Sequence, residues 1–156
     1  QFREHTAERR YLALVHGTVK ERTLVSHLVQ DRGDGLRGSL EGKPRWIKAR
    51  ARTGKTAITH VDVLERVGAA SLVACRLETG RTNQIRIQLA EAGHPLVGET
   101  VYLRDYAGEV LEAPRLMLHA AELGFVHPGS GEPVRFSSPM PAEMAAFVER
   151  LGTPRG

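Results

Sequence analysis

Cysteine is almost absent from this 156-residue sequence, where Cys75 stands alone. One thiol cannot close an internal disulfide, and no Cys/His cluster has zinc spacing, so a disulfide scaffold and a structural metal site are both excluded. A reducing, cytoplasmic compartment is the expectation. Aromatic residues are only 5% of the chain, too few for an extended base-stacking platform. No apolar run approaches the roughly 18 residues of a membrane-spanning helix. The sequence has no Gly-x-Gly-x-x-Gly and no P-loop lysine, which argues against a nucleotide-binding module. It has no internal repeat or low-complexity tract. Gln1 to Arg10 lacks the apolar core of a signal peptide.

What is present describes a soluble domain. Apolar residues make up 41% and charged residues 26%, ordinary for one globular domain with a sizeable core. The net charge of +4 is unevenly spread. Residues 1–60 hold 13 Lys/Arg against 6 Asp/Glu, whereas residues 61–156 hold 9 against 12. A basic first part suits a polyanion-binding face, although a solvated surface has the same composition. Lys48, Arg50 and Arg52 fall in the stretch WIKARAR, and Lys55 follows the Thr53-Gly54 turn.

Gln1 to Arg10 is polar, without a period of two, and reads as the end of a helix. Tyr11 to Gly17 is apolar on both alternating faces, which predicts a central strand. Thr23 to Val29 predicts another. Gln30 to Gly42 reads as a loop with a short strand near Leu36 to Leu40. Ala57 to Val67 and Ser71 to Leu77 form a hairpin about Gly68. Leu116 to Val126 and Val134 to Phe136 form a second hairpin about His127 to Gly131. Pro141 suits the first position of a closing helix, whose core face is Met144, Phe147, Val148 and Leu151. The order predicts an α+β fold on a mainly antiparallel sheet with short flanking helices.

The stretch from Leu77 to Gly98, LETGRTNQIRIQLAEAGHPLVG, organises the rest. It reads as a strand end, a polar turn and a short helix. Thr82 is the expected cap, Ile85, Leu89 and Ala92 the apolar face, and Gly93 the stop. Arg81, Thr82, Asn83, Gln84 and Arg86 crowd the helix start. A helix N-terminus disfavours cations, so two arginines there point to anionic partners, unless they are plain surface charge.

Several blocks together resemble the RluA/RluD-type family of RNA pseudouridine synthases. They are RRYLALVHG, GKTAITH, LETGRTNQIRIQLAEAGHPLVGE, LMLHAAELGFVHPGSGEPVRF and SPMPAEM, in the family's order. The resemblance implies a curved antiparallel sheet with an RNA-binding cleft, and conversion of uridine to its C-glycoside isomer without metal or cofactor. It implies structured RNA, ribosomal above all, as partner. Residue by residue, Tyr11 matches the tyrosine that packs on the target base and is a proposed acceptor for the C5 proton. Arg86 matches the arginine paired with the catalytic aspartate. Arg81, Thr82 and Gln84 match positions lining the cleft, and Asn83 stands where a histidine is usual. Taken without the resemblance, Tyr11 reads equally as a core tyrosine and Arg86 as a surface ion pair.

Other departures are Gln88 in place of a histidine, Glu99 in place of an aspartate, and Leu103 where glycine follows the tyrosine. The family's His-Arg-Leu-Asp block, which supplies the nucleophilic aspartate, does not occur in this sequence, and Asp31, Asp34, Asp62 and Asp105 lack its surroundings. The expectation is that residues 1–156 are the C-terminal two-thirds of one catalytic domain, inactive alone, with an uncovered edge along the Tyr11 strand. The rival reading is a non-catalytic RNA-binding remnant.

Overall fold

A computed structural model describes residues 7–41 and 54–153. Lys48, Arg50 and Arg52 lie outside the described residues. The strands are β1 (Glu8–His16), β2 (Arg22–Val29), β3 (Gly38–Ser39), β4 (Lys55–Val67), β5 (Ala70–Leu77), β6 (Leu118–Val126) and β7 (Pro133–Ser137). Among the described residues two helices accompany them, α1 (Gln84–Glu91) and α2 (Ala142–Gly152). The strands form a single antiparallel sheet in the order β3-β2-β4-β5-β1-β6-β7. Register shifts between Val63 and Glu65, and opposite Arg10 and Tyr11, interrupt the ladders; such bulges bend and twist a sheet locally.

The apolar alternation of β1 is explained by its place. Tyr11, Ala13 and Val15 face one layer, and Leu12 and Leu14 the other. The first layer packs Ala13, Val15, Val61, Val73 and Cys75 against Ile85 and Leu89 of α1. The second packs Leu14, Leu72 and Met117 against Met144 and Phe147 of α2. Each fully buried aliphatic side chain contributes about 1.5–3 kcal/mol, so both helices are held chiefly by the sheet. The free end of β1 is covered by residues 95–97. Leu14 accepts from the Val97 N–H at 2.8 Å, and His16 Nδ1 meets the Pro95 carbonyl oxygen at 2.8 Å.

Three expectations are corrected. Glu8, Arg9 and Arg10 belong to strand β1, not to a helix end. Their polarity reflects a wet sheet end, where Arg10 meets Glu122 at 3.4 Å and Glu8 meets Arg135. These partners come from β6 and β7, so no local pattern announces them. Pro141 is the N-cap of α2, not its first helical residue. The edge foreseen beside Tyr11 is not there: β1 is paired with β5 on one side and β6 on the other. No helix of the described residues is long and apolar enough to cross a membrane.

Cys75 lies wholly inside the first layer. Burial, with the nearby Asp62 charge adding, pushes its thiol up to about 12. The thiolate is the reactive form, and at pH 8 only about one molecule in ten thousand would carry it. Folded protein is therefore expected to resist maleimide labelling at pH 8 and to label fully in denaturant. Rapid labelling of the folded protein would show that the α1 layer opens.

Candidate functional site

The site is built at the junction of β4, β5 and α1. The chain leaves β5 at Leu77 and is strapped to β4 at once. Glu78 N–H donates to the Ile58 carbonyl at 3.1 Å, and Ile58 N–H donates to Thr79 Oγ1 at 2.9 Å. Gln84 then closes the turn from the helix side. Its Oε1 accepts from Thr79 Oγ1 at 2.8 Å and from Arg81 N–H at 3.0 Å. Its Nε2 donates to the Ile58 carbonyl at 3.1 Å and to Thr59 Oγ1 at 2.8 Å. Thr59 Oγ1 passes the chain on to Gln88 Oε1 at 2.5 Å. Gln88 Nε2 ends it on the Leu24 and Ala57 carbonyls and Ser26 Oγ, at 3.0–3.2 Å. Gln84 and Gln88 are each 2% exposed. A buried polar chain with every member satisfied fixes one geometry.

This places the polar turn differently from the sequence expectation. Thr82 does not cap the helix; it is exposed, and Asn83 is the N-cap, in the left-handed region at φ 57° with no side-chain cap bond. Asparagine tolerates that region better than most residues. Its side chain instead reaches sideways, donating through Nδ2 to the Tyr102 hydroxyl at 3.3 Å and accepting from Arg86 Nη1 at 3.5 Å. Gln84, expected in the cleft lining, lies buried behind the turn with both ends of its amide engaged. Arg81 Nε donates to the Thr56 carbonyl at 2.9 Å, which sets the Arg81 side chain beside Lys55 at the start of β4.

Arg86 stands in the first turn of α1 and grips Glu99 with both arms. Nε donates to Oε2 at 2.8 Å and Nη2 to Oε1 at 2.6 Å. Its guanidinium carbon lies 5.3 Å from the centre of the Tyr102 ring, a cation–π contact. Glu99 Oε1 also accepts the backbone N–H of Val101 and of Tyr102, at 3.1 and 3.4 Å. The Glu99 side chain is wholly buried, while that of Arg86 is 23% exposed. Burial works against the Glu99 charge, but the Arg86 hydrogen bonds and the two N–H groups outweigh it and hold its carboxyl below the ordinary range. The same pair raises Arg86. Gly98, in the left-handed region at φ 89°, turns the chain so tightly that a Cβ there would stand 2.0 Å from the Arg115 carbonyl oxygen. That turn delivers Glu99 to Arg86.

Of the sequence-derived residues, Arg81, Thr82, Asn83 and Arg86 share one corner, with Lys55 adjoining through Thr56. Tyr11 is half-buried and packs on the α1-facing core layer. The sequence reading did not foresee Glu99 as the partner of Arg86, nor Tyr102 as their neighbour. A lone acid and a lone tyrosine 13 and 16 positions downstream carry no local signal. Among the described residues no group of three or more His, Cys, Asp or Glu is placed to hold a metal ion.

The chain is similar to several known proteins. The family model described as RNA pseudouridylate synthase matches residues 1–91. The ribosomal large subunit pseudouridine synthase D of Nitrosomonas europaea is 38% identical over 159 residues, covering 97% of this chain and 43% of that protein. The ribosomal large subunit pseudouridine synthase C of Escherichia coli K12 is 36% identical over 160 residues, covering 99% and 48%. The solved structure of human RNA Pseudouridylate Synthase Domain Containing 1 superposes with a TM-score of 0.69 at 25% identity, over 98% of this chain and 69% of that one. The chain thus spans under half the length of these two bacterial relatives.

The Arg86–Glu99 pair generates a pH prediction. Glu99 has a depressed carboxyl in the fold, so the stability it contributes is present above the unfolded value of about 4.3 and is lost as pH falls through the lower folded value. Glu99→Gln is expected to cost about 2–3 kcal/mol at pH 7, because it leaves Arg86 without its counter-charge. The gap between wild type and variant, read from urea midpoints, should hold from pH 8 to 5 and shrink below about pH 4. A gap independent of pH would mean that the carboxylate charge is not what Arg86 needs.

Proposed function

Since this chain belongs to the RNA pseudouridylate synthase family, we propose that it forms part of the catalytic domain of an enzyme that isomerises uridine to pseudouridine in structured RNA. Ribosomal RNA is the proposed substrate class, following the relatives named as ribosomal large-subunit enzymes. The observation that carries this reading is the held guanidinium of Arg86. Its Nε/Nη2 edge is fixed by Glu99, while among the described residues its Nη1 edge is engaged only by Asn83 at 3.5 Å.

The isomerisation breaks the bond from N1 to C1′, turns the base, and joins C5 to C1′. The proton lost at C5 is balanced by one gained at N1, so nothing is consumed. A carboxylate that assists the cleavage must stay ionised in a desolvated cleft, which requires a fixed cation or donors nearby. In this proposal Arg86 offers its Nη1 edge to that carboxylate, which belongs to the family's aspartate block and is not among these 156 residues. Arginine suits the task because it does not deprotonate and presents a rigid fork. Glu99 is then the positioning residue behind it. Tyr11, on the α1 face of the central strand, packs on the target base and takes the C5 proton.

The same reading gives the basic residues a task. Arg81 and Lys55 meet RNA phosphates at the mouth of the turn, with Thr82 and Asn83 beside them. The sequence assigns the same task to Lys48, Arg50 and Arg52; phosphates neutralised by such residues release counterions. Gln84 acts behind the surface by holding the turn in shape.

In a protein carrying the aspartate block, Arg86→Ala is expected to lower turnover by at least about a hundredfold. RNA affinity should stay within a few-fold of wild type. Arg86→Lys should also be poor, since a point charge does not reproduce the fork. Single-turnover tritium release from C5-labelled uridine, beside filter binding, separates the two effects. Equal losses of affinity and turnover would make Arg86 a phosphate contact instead.

The 156-residue chain alone is expected to bind the same RNA without isomerising it. Turnover by the chain alone would mean that one of its own residues does the work of the aspartate, and would overturn this assignment.

A further inference from the structure

The cations at the wet end of the sheet are nearly all matched. Arg10 meets Glu122 at 3.4 Å, Arg76 meets Asp62 at 3.1 Å, His60 meets Glu78 at 2.5 Å, and Arg135 meets Glu8 and Glu122. Arg9 is the exception. Among the described residues it makes no ion pair or hydrogen bond, and its Nε is buried without an acceptor. An unpaired cation held partly out of water is costly and calls for an opposite charge.

Its position gives the missing partner a character. Arg9 lies two residues before Tyr11 on a regular stretch of β1, opposite Leu77 of β5. The two side chains therefore emerge on the same face, roughly 7 Å apart along the strand. The guanidinium is laid directly on the turn that leads into α1. A Cβ at Gly80 would stand 2.0 Å from Arg9 Nη1 and 3.0 Å from Cζ. Gly80 does not have a positive φ, so close approach, not backbone strain, is what requires glycine there. Gly80 and Thr82 are exposed, so the guanidinium rests at an open rim. The acid nearest the turn in sequence, Glu78, is already held by His60, and Glu8, beside Arg9 in sequence, is held by Arg135.

We propose that Arg9 is a subsite for one phosphodiester of the RNA strand, at the rim between the Tyr11 face and the Gly80–Arg81 turn. The inference rests on the RNA-modifying function proposed above and names a further contact within it. A phosphate oxygen pair suits the fork of an arginine, which it meets through two parallel N–H bonds. It approaches over Gly80 from solvent, meets the terminal nitrogens, and draws the covered Nε into the contact. Arg81, whose Nε is fixed on the Thr56 carbonyl, supports the same strand from the other side of the turn.

The test is RNA affinity against salt, measured on the full chain with a uridine-containing stem-loop transcript of large-subunit ribosomal RNA. Arg9→Ala is expected to weaken binding about tenfold at low salt and to reduce the salt slope by about 0.7–0.9, the share of one phosphate. Its melting temperature should be unchanged or higher, because a partly buried cation with no partner among the described residues has been removed. Arg9→Lys should keep the slope and lose part of the affinity. Gly80→Ala displaces the guanidinium without changing charge and should weaken binding in the same direction; combined with Arg9→Ala it should add little. It also serves should Arg9→Ala fail to fold. Wild-type binding with an unchanged slope in Arg9→Ala would overturn the subsite. A lower melting temperature with an unchanged slope would likewise overturn it, and would identify a protein carboxylate as the partner. Failure of the wild-type chain to bind the transcript would instead overturn the RNA reading itself.

Discussion

One buried chain of hydrogen bonds holds the rest in place. It runs from Thr79 through Gln84 and Thr59 to Gln88, and ends on β2 and β4. Helix α1 has only eight residues, too short to persist by its own propensity. Its apolar contacts with the sheet give attraction without direction. The two glutamines supply the direction, since each donor and acceptor must find its partner or lie unsatisfied in the core. The turn before α1 can therefore present polar residues outward while keeping a fixed shape.

That rigidity is what gives the Arg86–Glu99 pair its meaning. In the function proposed here, the Arg86 guanidinium has to be held before charge arrives in the cleft, because reorganising it would cost what it is meant to contribute. Glu99 does this from inside, wholly buried and fed by two backbone N–H groups. The left-handed Gly98 sets its approach from behind, and the left-handed Asn83 shapes the front. The pair is buried on the acid side and open on the arginine side, which leaves the cation facing outward. Such a pair adds less to stability than its distances suggest, because both groups have lost water. Its value lies in orientation.

Much of the architecture could be read from the sequence because local patterns declare it. The double-sided apolar run of Tyr11 to Gly17 made β1 a central strand, and it is one. The alternation from Ala57 to Val67 and the Gly68 turn declared the β4–β5 hairpin. The five family blocks, in order, identified the chain where composition could not. The same signals were blind to Glu8–Arg10, whose strand character depends on partners in β6 and β7. They also misplaced the helix cap, since Thr82 and Asn83 are both good caps by residue type and the cap is Asn83, whose side chain turns to Tyr102 and Arg86.

By itself, then, the sequence determined most of the element types, the antiparallel class and the family, because these rest on periodicity and on contiguous motifs. Tertiary structure alone decided the strand order that brings β1 between β5 and β6, the choice of Glu99 as the acid behind Arg86, and the use of Gln84 as a buried brace between the turn and the sheet. It also decided that Arg9, unlike its neighbour Arg10, has a buried Nε with no acceptor among the described residues. The physical reason is common to all four. Each depends on which groups remain unsatisfied once distant segments have packed, and a one-dimensional pattern holds no record of that.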